Sequence, residues 1–294
     1  MAQRTARLGV IGGSGLYSIP GLAEVEQVEV STPFGAPSDA LTFGDLEGVS
    51  LAFLPRHGRG HRLSPAEVPS RANIYALKSV GVERVISVSA VGSLREDVAP
   101  LDLVIPDQLF DRTKARPASF FEQGIVAHVE FAEPFCPDMS ARLADAMEAL
   151  GDIRFNRGGT YICIDGPQFS TKAESRIYRQ WGCDVIGMTA LPEARLAREA
   201  ELCYATIACV TDYDVWHESE GPVTVEMVVA NLTHNVANAQ RIIREMARTL
   251  PADRFSATCG CASALDHAVM TDRALFTPEQ RARYALLLGE RYNA

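Results

Sequence analysis

Two acids, Asp212 and Asp214, directly follow a strongly apolar run of the chain, ELCYATIACV, within the segment TDYDVW. Side chains alternate along an extended strand, so we expect both carboxylates on one side, with their Cα atoms about 6 to 7 Å apart. Two carboxylates in one cleft repel, and partial burial raises the pKa of at least one. One acid could then hold a proton near neutral pH and donate it to a leaving group. The alternative is that Asp and Tyr simply end a strand, as they commonly do.

A second candidate group follows the apolar run VSLAFL, in the segment PRHGRGH. The guanidinium of Arg56 at a strand end can hold an anion with two parallel hydrogen bonds, and the adjacent imidazole of His57 can donate a third. His61 lies in the same segment. The other interpretation is a solvated basic loop, and the segment alone does not separate the two.

The first apolar run, RLGVI, is followed by GGSG, in which Ser14 lies between glycines. Glycines let the backbone curl and turn several N–H groups inward, and the Ser14 hydroxyl adds a donor. Such a turn suits a phosphate oxygen. It is not a Walker loop, because no Gly-Lys-Ser/Thr follows, and the third glycine of a dinucleotide-binding fingerprint is missing. A tight structural turn stays an equal alternative.

Two further strand ends carry residues that a ligand could approach. Near AVGSLRE, the Ser89 hydroxyl and the Ala90 backbone precede small residues, and in GPQFST the Phe169 ring could pack internally or offer a stacking face.

Apolar runs alternate with helical patterns along the chain. The runs are nearly continuous in Val, Ile, Leu and Ala, which indicates strands covered on both faces. Several helical patterns end at a glycine, as left-handed caps require. The alternation predicts an α/β fold, with helices on both sides of a sheet and one domain over residues 1–294, whose functional residues gather at the carboxyl ends of strands. The predicted strands cover residues 7–11, 49–54, 83–91, 103–106, 159–165 and 203–210, and the predicted helices cover 70–81, 138–151, 172–182, 192–202 and about 223–250.

The composition excludes several kinds of partner. With 294 residues, 47% of them hydrophobic, the chain can bury a large core. The 28 basic and 37 acidic residues give a net charge of −9 without a Lys or Arg run, which argues against nucleic acid. No apolar run approaches the roughly 20 residues of a membrane helix, and glycines interrupt the N-terminal apolar stretch, so we expect a cytoplasmic protein without membrane partners.

The seven cysteines are an odd number spread through the chain, for which reduced, buried thiols are the expectation. Only Cys259 and Cys261, in TCGCAS, are close enough in sequence to suggest a metal or redox pair. A single such pair is a weak zinc signal, so we predict no metal site and leave the redox state of the pair open.

Taken together, these segments resemble those of the trimeric purine nucleoside phosphorylase family, specifically its 5′-methylthioadenosine phosphorylase branch. The matching motifs, in the family's order, are GGSG, TPFGAPSDA, PRHGRGH, SRANIYALK, AVGSLRE, DQLFDRT, AEPFCP, GPQFST, GMTALPEARLA and TDYDVW. The resemblance runs from about residue 7 to residue 250, and a helical tail from about 251 carries it less fully. It implies a central twisted mixed sheet flanked by helices.

The resemblance implies phosphorolysis, a pentosyl transfer in which inorganic phosphate attacks the anomeric carbon of a nucleoside and the purine base leaves. Met188 would meet the ribose and Phe169 the base, while Asp212 and Asp214 would face the N6 and N7 edge of the purine and supply the catalytic proton. The phosphate would be bound by Ser14, Arg56, His57, Ser89, Ala90 and Thr189. Phosphate is then a co-substrate, and no cofactor is expected.

Two positions favour a 6-aminopurine. The family's 6-oxopurine enzymes carry Glu directly after the Phe of the GPxF motif and Asn at the first acid of TDYD, where this chain has Ser170 and Asp212. An ionised Asp only accepts hydrogen bonds, so it pairs with an amino group and repels a carbonyl oxygen. Gly187 stands where the animal enzymes of the branch have Asn, and its effect is left open.

At the 5′ end of the nucleoside, the resemblance implies a role for His61, for His128 contributed by a neighbouring subunit of a homotrimer, and for an apolar pocket that includes Val225 and Val228. The resulting expectation is phosphorolysis of methylthioadenosine in methionine and purine salvage. One alternative is the same chemistry on a 6-oxopurine nucleoside such as methylthioinosine, inosine or guanosine. A more distant alternative is a protein that binds nucleosides without turnover.

Overall fold

The computed structural model describes residues 4–13, 15–16, 18–217, 225–253 and 259–289. These residues form an 11-stranded sheet. Its strands are β1 (Leu8–Gly12), β2 (Ala23–Val28), β3 (Leu41–Leu46), β4 (Val49–Pro55), β5 (Arg84–Ser93), β6 (Leu103–Ile105), β7 (Gln108–Arg112), β8 (Phe155–Arg157), β9 (Thr160–Ile164), β10 (Val185–Gly187) and β11 (Cys203–Asp212).

Four parallel strands form the centre of the sheet. β1 pairs in parallel with β4 and β5, and β5 pairs in parallel with β11. Antiparallel pairs surround this centre: β2, β3 and β4 form a meander, β6 pairs with β11, and β10 pairs with the last residues of β5. β10, β9 and β7 then continue as a parallel arm, and β8 extends β6. The sheet is therefore mixed, as the resemblance implied.

Helices cover both faces of the sheet. They are α1 (Ser70–Ser79), α2 (Pro137–Leu150), α3 (Lys172–Gln180), α4 (Ala190–Glu199), α5 (Val225–Thr249) and α6 (Pro278–Leu288). Successive strand residues point to opposite faces. On β5, Val85 packs in the core that holds residues of α1, α4 and α6, whereas Ile86 packs in the core that holds residues of α2 and α5. Both faces are thus buried, which explains the continuous apolar runs.

The five predicted helices are confirmed as α1 to α5, and the six predicted strands as β1, β4, β5, β6, β9 and β11. The sequence did not predict five strands. β3 is mostly buried, but Gly44 and Asp45 interrupt its apolar run, and β7 alternates between exposed and half-buried residues. β2 is almost entirely exposed and reads AEVEQV, while β8 and β10 are three residues long. Short or solvent-exposed strands lack the apolar run that identified the others.

Among the described residues, no helix has the length and apolarity required to cross a membrane.

Candidate active site

A cavity of about 300 Å³ opens at the end of the central strands and holds most of the predicted site residues. The predicted residues that line it are Arg56, His57, His61, Ser89, Ala90, Phe169, Ser170, Met188, Thr189, Asp212, Asp214 and Val228. The anion-binding candidates and the two acids therefore share one cavity, which is the juxtaposition on which the proposed chemistry depends.

Strand direction explains this convergence. β1, β4, β5 and β11 are parallel, so their carboxyl ends meet at one edge; the Arg56 N–H donates to the Gly12 carbonyl (2.9 Å), and Asp212 lies opposite Gly92. β10 runs antiparallel to β5, with Ile186 opposite Gly92. Its carboxyl end therefore approaches from the opposite direction and brings Met188 and Thr189 to the same cavity. The expectation that carboxyl ends of parallel strands meet at one edge did not predict this arrangement.

Arg56 is buried and committed to a carboxylate. Its Nε and Nη2 donate to Glu193 at 2.9 and 3.0 Å, Nη2 also donates to Ser87 Oγ at 2.7 Å, and Nη1 donates to the Val88 carbonyl at 2.9 Å. Burial acts to lower the pKa of Arg56, but the ion pair with Glu193 outweighs it and raises the pKa above its ordinary value. A predicted two-bond grip on an anion is not available, because the guanidinium fork already holds Glu193.

His57 is a neutral ring with a defined tautomer. Its Nδ1 lies 2.9 Å from the Leu63 carbonyl, which can only accept, so Nδ1 carries the hydrogen. Burial and the charge of Arg56 lower the pKa of His57 to about 4. The neutral ring therefore offers an acceptor at Nε2 instead of the predicted donor. His61 stacks on it, with ring centroids 4.3 Å apart.

Hydroxyl groups supply the donors that Arg56 does not. Ser89 Oγ, Thr189 Oγ1 and Tyr161 Oη are buried without a well-formed hydrogen bond to the described residues, although Ser89 and Thr189 lie near enough to the Tyr161 hydroxyl to act on its pKa. Buried hydroxyls without partners are unfavourable unless a ligand satisfies them. Burial raises the pKa of Tyr161 to about 12, so this phenol stays protonated. Ser89 and Thr189 line the cavity and can donate to an anion there.

The two acids differ in their surroundings. Asp212 ends β11 and is 6% exposed; burial raises its pKa, the Asp214 carboxylate adds to the rise, and hydrogen bonds from Thr211 and the Asp214 N–H oppose it. Asp214 accepts from the Ser170 hydroxyl, which lies 2.8 and 3.0 Å from its two oxygens. Ser170, predicted as a specificity residue, thus also orients an acid.

A turn places both acids in the cavity. The sequence predicted that both would lie on one strand and point to the same side by alternation, and that explanation is wrong. β11 ends at Asp212, and Asp214 has a left-handed backbone with φ of 50°. Its N–H donates to Asp212 Oδ1 at 2.8 Å, which closes the turn. Asp adopts this conformation more readily than most residues, because its short polar side chain can hydrogen-bond locally.

Two glycines leave room for these groups. A Cβ at Gly92 would lie 2.8 Å from Asp212 Oδ1, so only glycine lets the acid sit over the end of β5. A Cβ at Gly187 would lie 2.0 Å from Tyr161 Oη. Gly187, which stands where the animal enzymes have Asn, is therefore needed because the Tyr161 side chain occupies the space that a larger residue would fill.

The remaining wall of the cavity is apolar and comes from α5. Val228, Leu232 and Val236 line it, and α5 is held against β11 by Asn231 and Asn235, whose amides donate to the Thr211 and Val210 carbonyls at 2.7 and 3.1 Å. Phe169 also lines the cavity and is 44% exposed.

Three predicted residues are not placed in this cavity. Ser14 and the side chain of Val225 lie outside the described residues. His128 lines a separate cavity with Glu130, Arg198 and His267, so it does not reach the acids of its own chain.

Sequence reasoning missed two buried side chains that support the site. Glu193 holds Arg56 and accepts from the Tyr204 hydroxyl at 2.7 Å, and Tyr161 fills the space beside Gly187. α4 reads ALPEARLARE, and nothing in its sequence separates Glu193 from Glu199 on the same helix. Nothing in the sequence distinguishes Tyr161 from an ordinary strand aromatic.

Comparison with known proteins identifies the class. The family model described as the phosphorylase superfamily matches residues 7–248. The chain therefore belongs to the phosphorylase superfamily.

The relatives narrow this membership to the methylthioadenosine phosphorylase branch. The S-methyl-5′-thioadenosine phosphorylase of Gloeobacter violaceus is 56% identical over 293 residues, 99% of this chain and 97% of that relative. The enzyme of the same name from Chloroflexus aurantiacus is 61% identical over 243 residues, 82% of this chain and 84% of that relative.

Solved structures agree with the sequence relatives. The fold is similar to the crystal structure of a methylthioadenosine phosphorylase from an antarctic soil metagenomic library, with 47% identity and a TM-score of 0.91 over 97% of this chain and 100% of that chain. It is also similar to the Schistosoma mansoni methylthioadenosine phosphorylase in complex with adenine, at 36% identity and a TM-score of 0.83 over 89% of this chain and 97% of that chain.

Proposed function

We propose that the protein is a pentosyltransferase that converts 5′-methylthioadenosine and phosphate to adenine and 5-methylthioribose 1-phosphate. The observation that carries the proposal is that the anion-binding candidates and the acids open onto one cavity of about 300 Å³. A nucleoside placed there meets phosphate at its anomeric carbon and a carboxylate pair at its base. The names and identities of the relatives support the same reaction.

Phosphate would bind where donors lack partners. The ion pair of Arg56 with Glu193 has no net charge, so Ser89, Thr189 and the one Nη1 hydrogen of Arg56 without an acceptor among the described residues provide the hydrogen bonds. His57 Nε2 accepts a hydrogen bond from the protonated oxygen of the bound phosphate and orients it. The negative charge of the phosphate lies against the sugar, where it stabilises the developing oxocarbenium ion.

The base would be held and protonated by the two acids. An ionised carboxylate accepts from the 6-amino group of adenine, and a protonated carboxyl group donates to N7 as the base leaves. Burial raises the pKa of Asp212, and the Ser170 hydroxyl fixes the position of Asp214.

The 5′ substituent would lie against α5. Val228, Leu232 and Val236 form an apolar wall suited to a methylthio group, with His61 beside it. An apolar wall discriminates by only about 1 to 3 kcal/mol per methylene-sized group. Adenosine is therefore a slower second substrate.

The test is phosphate-dependent turnover of methylthioadenosine, adenosine, methylthioinosine and inosine. We expect adenine release from methylthioadenosine only with phosphate, together with a sugar 1-phosphate. Release at an equal rate without phosphate would contradict phosphorolysis, and faster turnover of methylthioinosine would assign the 6-oxopurine alternative. Saturable nucleoside binding without any product would indicate a binding protein.

The assembly, location and cofactor requirement follow as further parts of the proposal. A homotrimer would let a neighbouring chain supply His128, which does not reach the cavity of its own chain. We propose no cofactor for the reaction, since phosphate is the second substrate. A cytoplasmic location and a role in methionine and purine salvage stay predictions from the sequence.

A further inference from the structure

Four cysteine side chains come together at the far end of β11 from the substrate cavity. Cys136, Cys203, Cys259 and Cys261 place their sulfur atoms within 4.8 Å of one another. The Cys259 Sγ lies 3.5 Å from that of Cys136 and 3.4 Å from that of Cys203, residues that are 123 and 56 positions away in the chain. The sequence predicted no metal site because only Cys259 and Cys261 are close together along the chain. The fold brings Cys136 and Cys203 next to them.

The distances fit a shared metal ion. Four sulfurs about 2.3 Å from a tetrahedral zinc ion are about 3.8 Å apart, close to the observed spacing. A disulfide would bring two of them to about 2.05 Å, and all four cysteines are free. The cluster is therefore compact enough for one ion and is not cross-linked.

The surroundings of the cluster suit thiolates. Cys136 precedes the first residue of α2, a helix of 14 residues, and positive helix ends stabilise thiolates. Arg198 lines a cavity together with Gly260, the residue between Cys259 and Cys261. Cys136, Cys203 and Cys261 are at most 2% exposed, while Cys259 is half-buried and leaves a path for an ion to enter.

We propose that these four cysteines bind one Zn²⁺ in a closed structural site. Binding converts four thiols to thiolates, and their protons leave to solvent, so the site carries two negative charges. An all-thiolate tetrahedron selects zinc or iron, and zinc binds such sites more tightly than ferrous iron. Four protein ligands leave no open position for a substrate, so the metal acts on stability and not on the reaction.

The site would hold together three parts of the fold. It joins the start of α2, the start of β11 and the chain that follows α5. Cys203 is the first residue of β11 and Asp212 the last, which separates metal and acids by about 30 Å of strand. Loss of zinc is therefore expected to lower the melting temperature while the intact enzyme's substrate preference stays unchanged.

The experiment is metal analysis of the full-length protein purified without a histidine tag. We expect one zinc per chain, intact mass equal to the fully reduced chain, and zinc release when a mercurial reagent titrates the thiols. Replacing zinc with Co²⁺ is expected to give the intense visible absorption of tetrahedral cobalt thiolates.

Matched variants locate the ion. Cys203→Ala and Cys209→Ala both remove a buried thiol from β11, but only Cys203 belongs to the cluster. We expect Cys203→Ala and the less buried Cys259→Ser to lose zinc and Cys209→Ala to keep it. If Cys203→Ala does not fold, Cys259→Ser and the cobalt spectrum of the unmodified chain still decide the question.

Several results would overturn the proposal. These are a mass lowered by the hydrogens that disulfides remove, iron in place of zinc, reduced thiols that take up neither zinc nor cobalt, or equal zinc loss in Cys209→Ala and Cys203→Ala.

Discussion

Asp212 and Asp214 lie two residues apart but make different contacts, so their substitutions are expected to have different effects. Asp212→Asn replaces an acceptor with an amide that can also donate to a 6-carbonyl oxygen. We expect the ratio of kcat/KM for methylthioadenosine to that for methylthioinosine to fall by about 100-fold or more. Asp214→Asn should instead lower kcat for both nucleosides by about 100 to 10,000-fold. Equal losses on both substrates in both variants would contradict separate roles.

His57 makes stability depend on pH in a direction that follows from its surroundings. Burial and Arg56 lower its pKa from 6.5 to about 4 in the folded chain. Between these values the unfolded chain binds a proton that the folded chain does not, so stability falls as pH falls from about 6.5 to 4. His57→Gln should flatten this decline, measured by urea unfolding at several pH values.

A matched control separates this effect from general acid sensitivity. His234 is an exposed histidine on α5. His234→Gln should keep the pH dependence of the unmodified chain, and a decline that persists unchanged in His57→Gln would contradict the role of His57.

At the scale of elements, the ion pair of Arg56 with Glu193 fastens the end of β4 to α4. Both side chains are at most 3% exposed, so Glu193→Ala leaves a buried guanidinium without its carboxylate. Breaking a buried pair in this way costs about 3 to 5 kcal/mol of unfolding free energy. Urea unfolding of Glu193→Ala and of the unmodified chain measures this difference in unfolding free energy. Glu245→Ala, which breaks a pair with the exposed Arg248, should change stability little; similar losses in both variants would contradict the prediction.

The sequence predicted elements well where a periodic or continuous apolar signal existed. β5, buried at all but one residue, and β11, buried throughout, were found, whereas the exposed β2 and the three-residue β10 were not. The missed strands have physical reasons. An exposed or very short strand is held by its neighbours and not by its own apolar pattern, and in the buried β3 Gly44 and Asp45 interrupt that pattern.

In the site, the sequence predicted which residues lie together but not how their side chains are oriented. Residue types at strand ends predicted which side chains share the cavity, because the fold brings those ends together. The sequence could not show that Arg56 would turn its fork toward Glu193, 137 residues away, or that His57 would direct Nδ1 to a carbonyl. Such orientations depend on long-range contacts that no local spacing encodes.

At the scale of the whole molecule, the position of His128 connects function to assembly. It lies in a cavity separate from Asp214 of the same chain, so in the proposed homotrimer it would contact the nucleoside across a subunit boundary. Size-exclusion chromatography with light scattering should give three times the chain mass of 31.9 kDa. His128→Ala should raise KM for methylthioadenosine by about 10-fold with little change in kcat, as expected for a lost hydrogen bond to the substrate.

Mixed assemblies test the shared site directly. A trimer that contains both Asp214→Asn and His128→Ala chains has sites in which Asp214 comes from one chain and His128 from its neighbour, both unmodified. At low methylthioadenosine, co-expressed mixtures should therefore contain sites with both the KM and the kcat of the unmodified enzyme. Neither parent variant combines the two, because Asp214→Asn lowers kcat and His128→Ala raises KM. Mixtures of Asp212→Asn with Asp214→Asn should restore nothing, because both acids line the same cavity of one chain. If the first mixture behaves only as the sum of its parents, His128 does not act across the boundary, and the cavity is complete within a single chain.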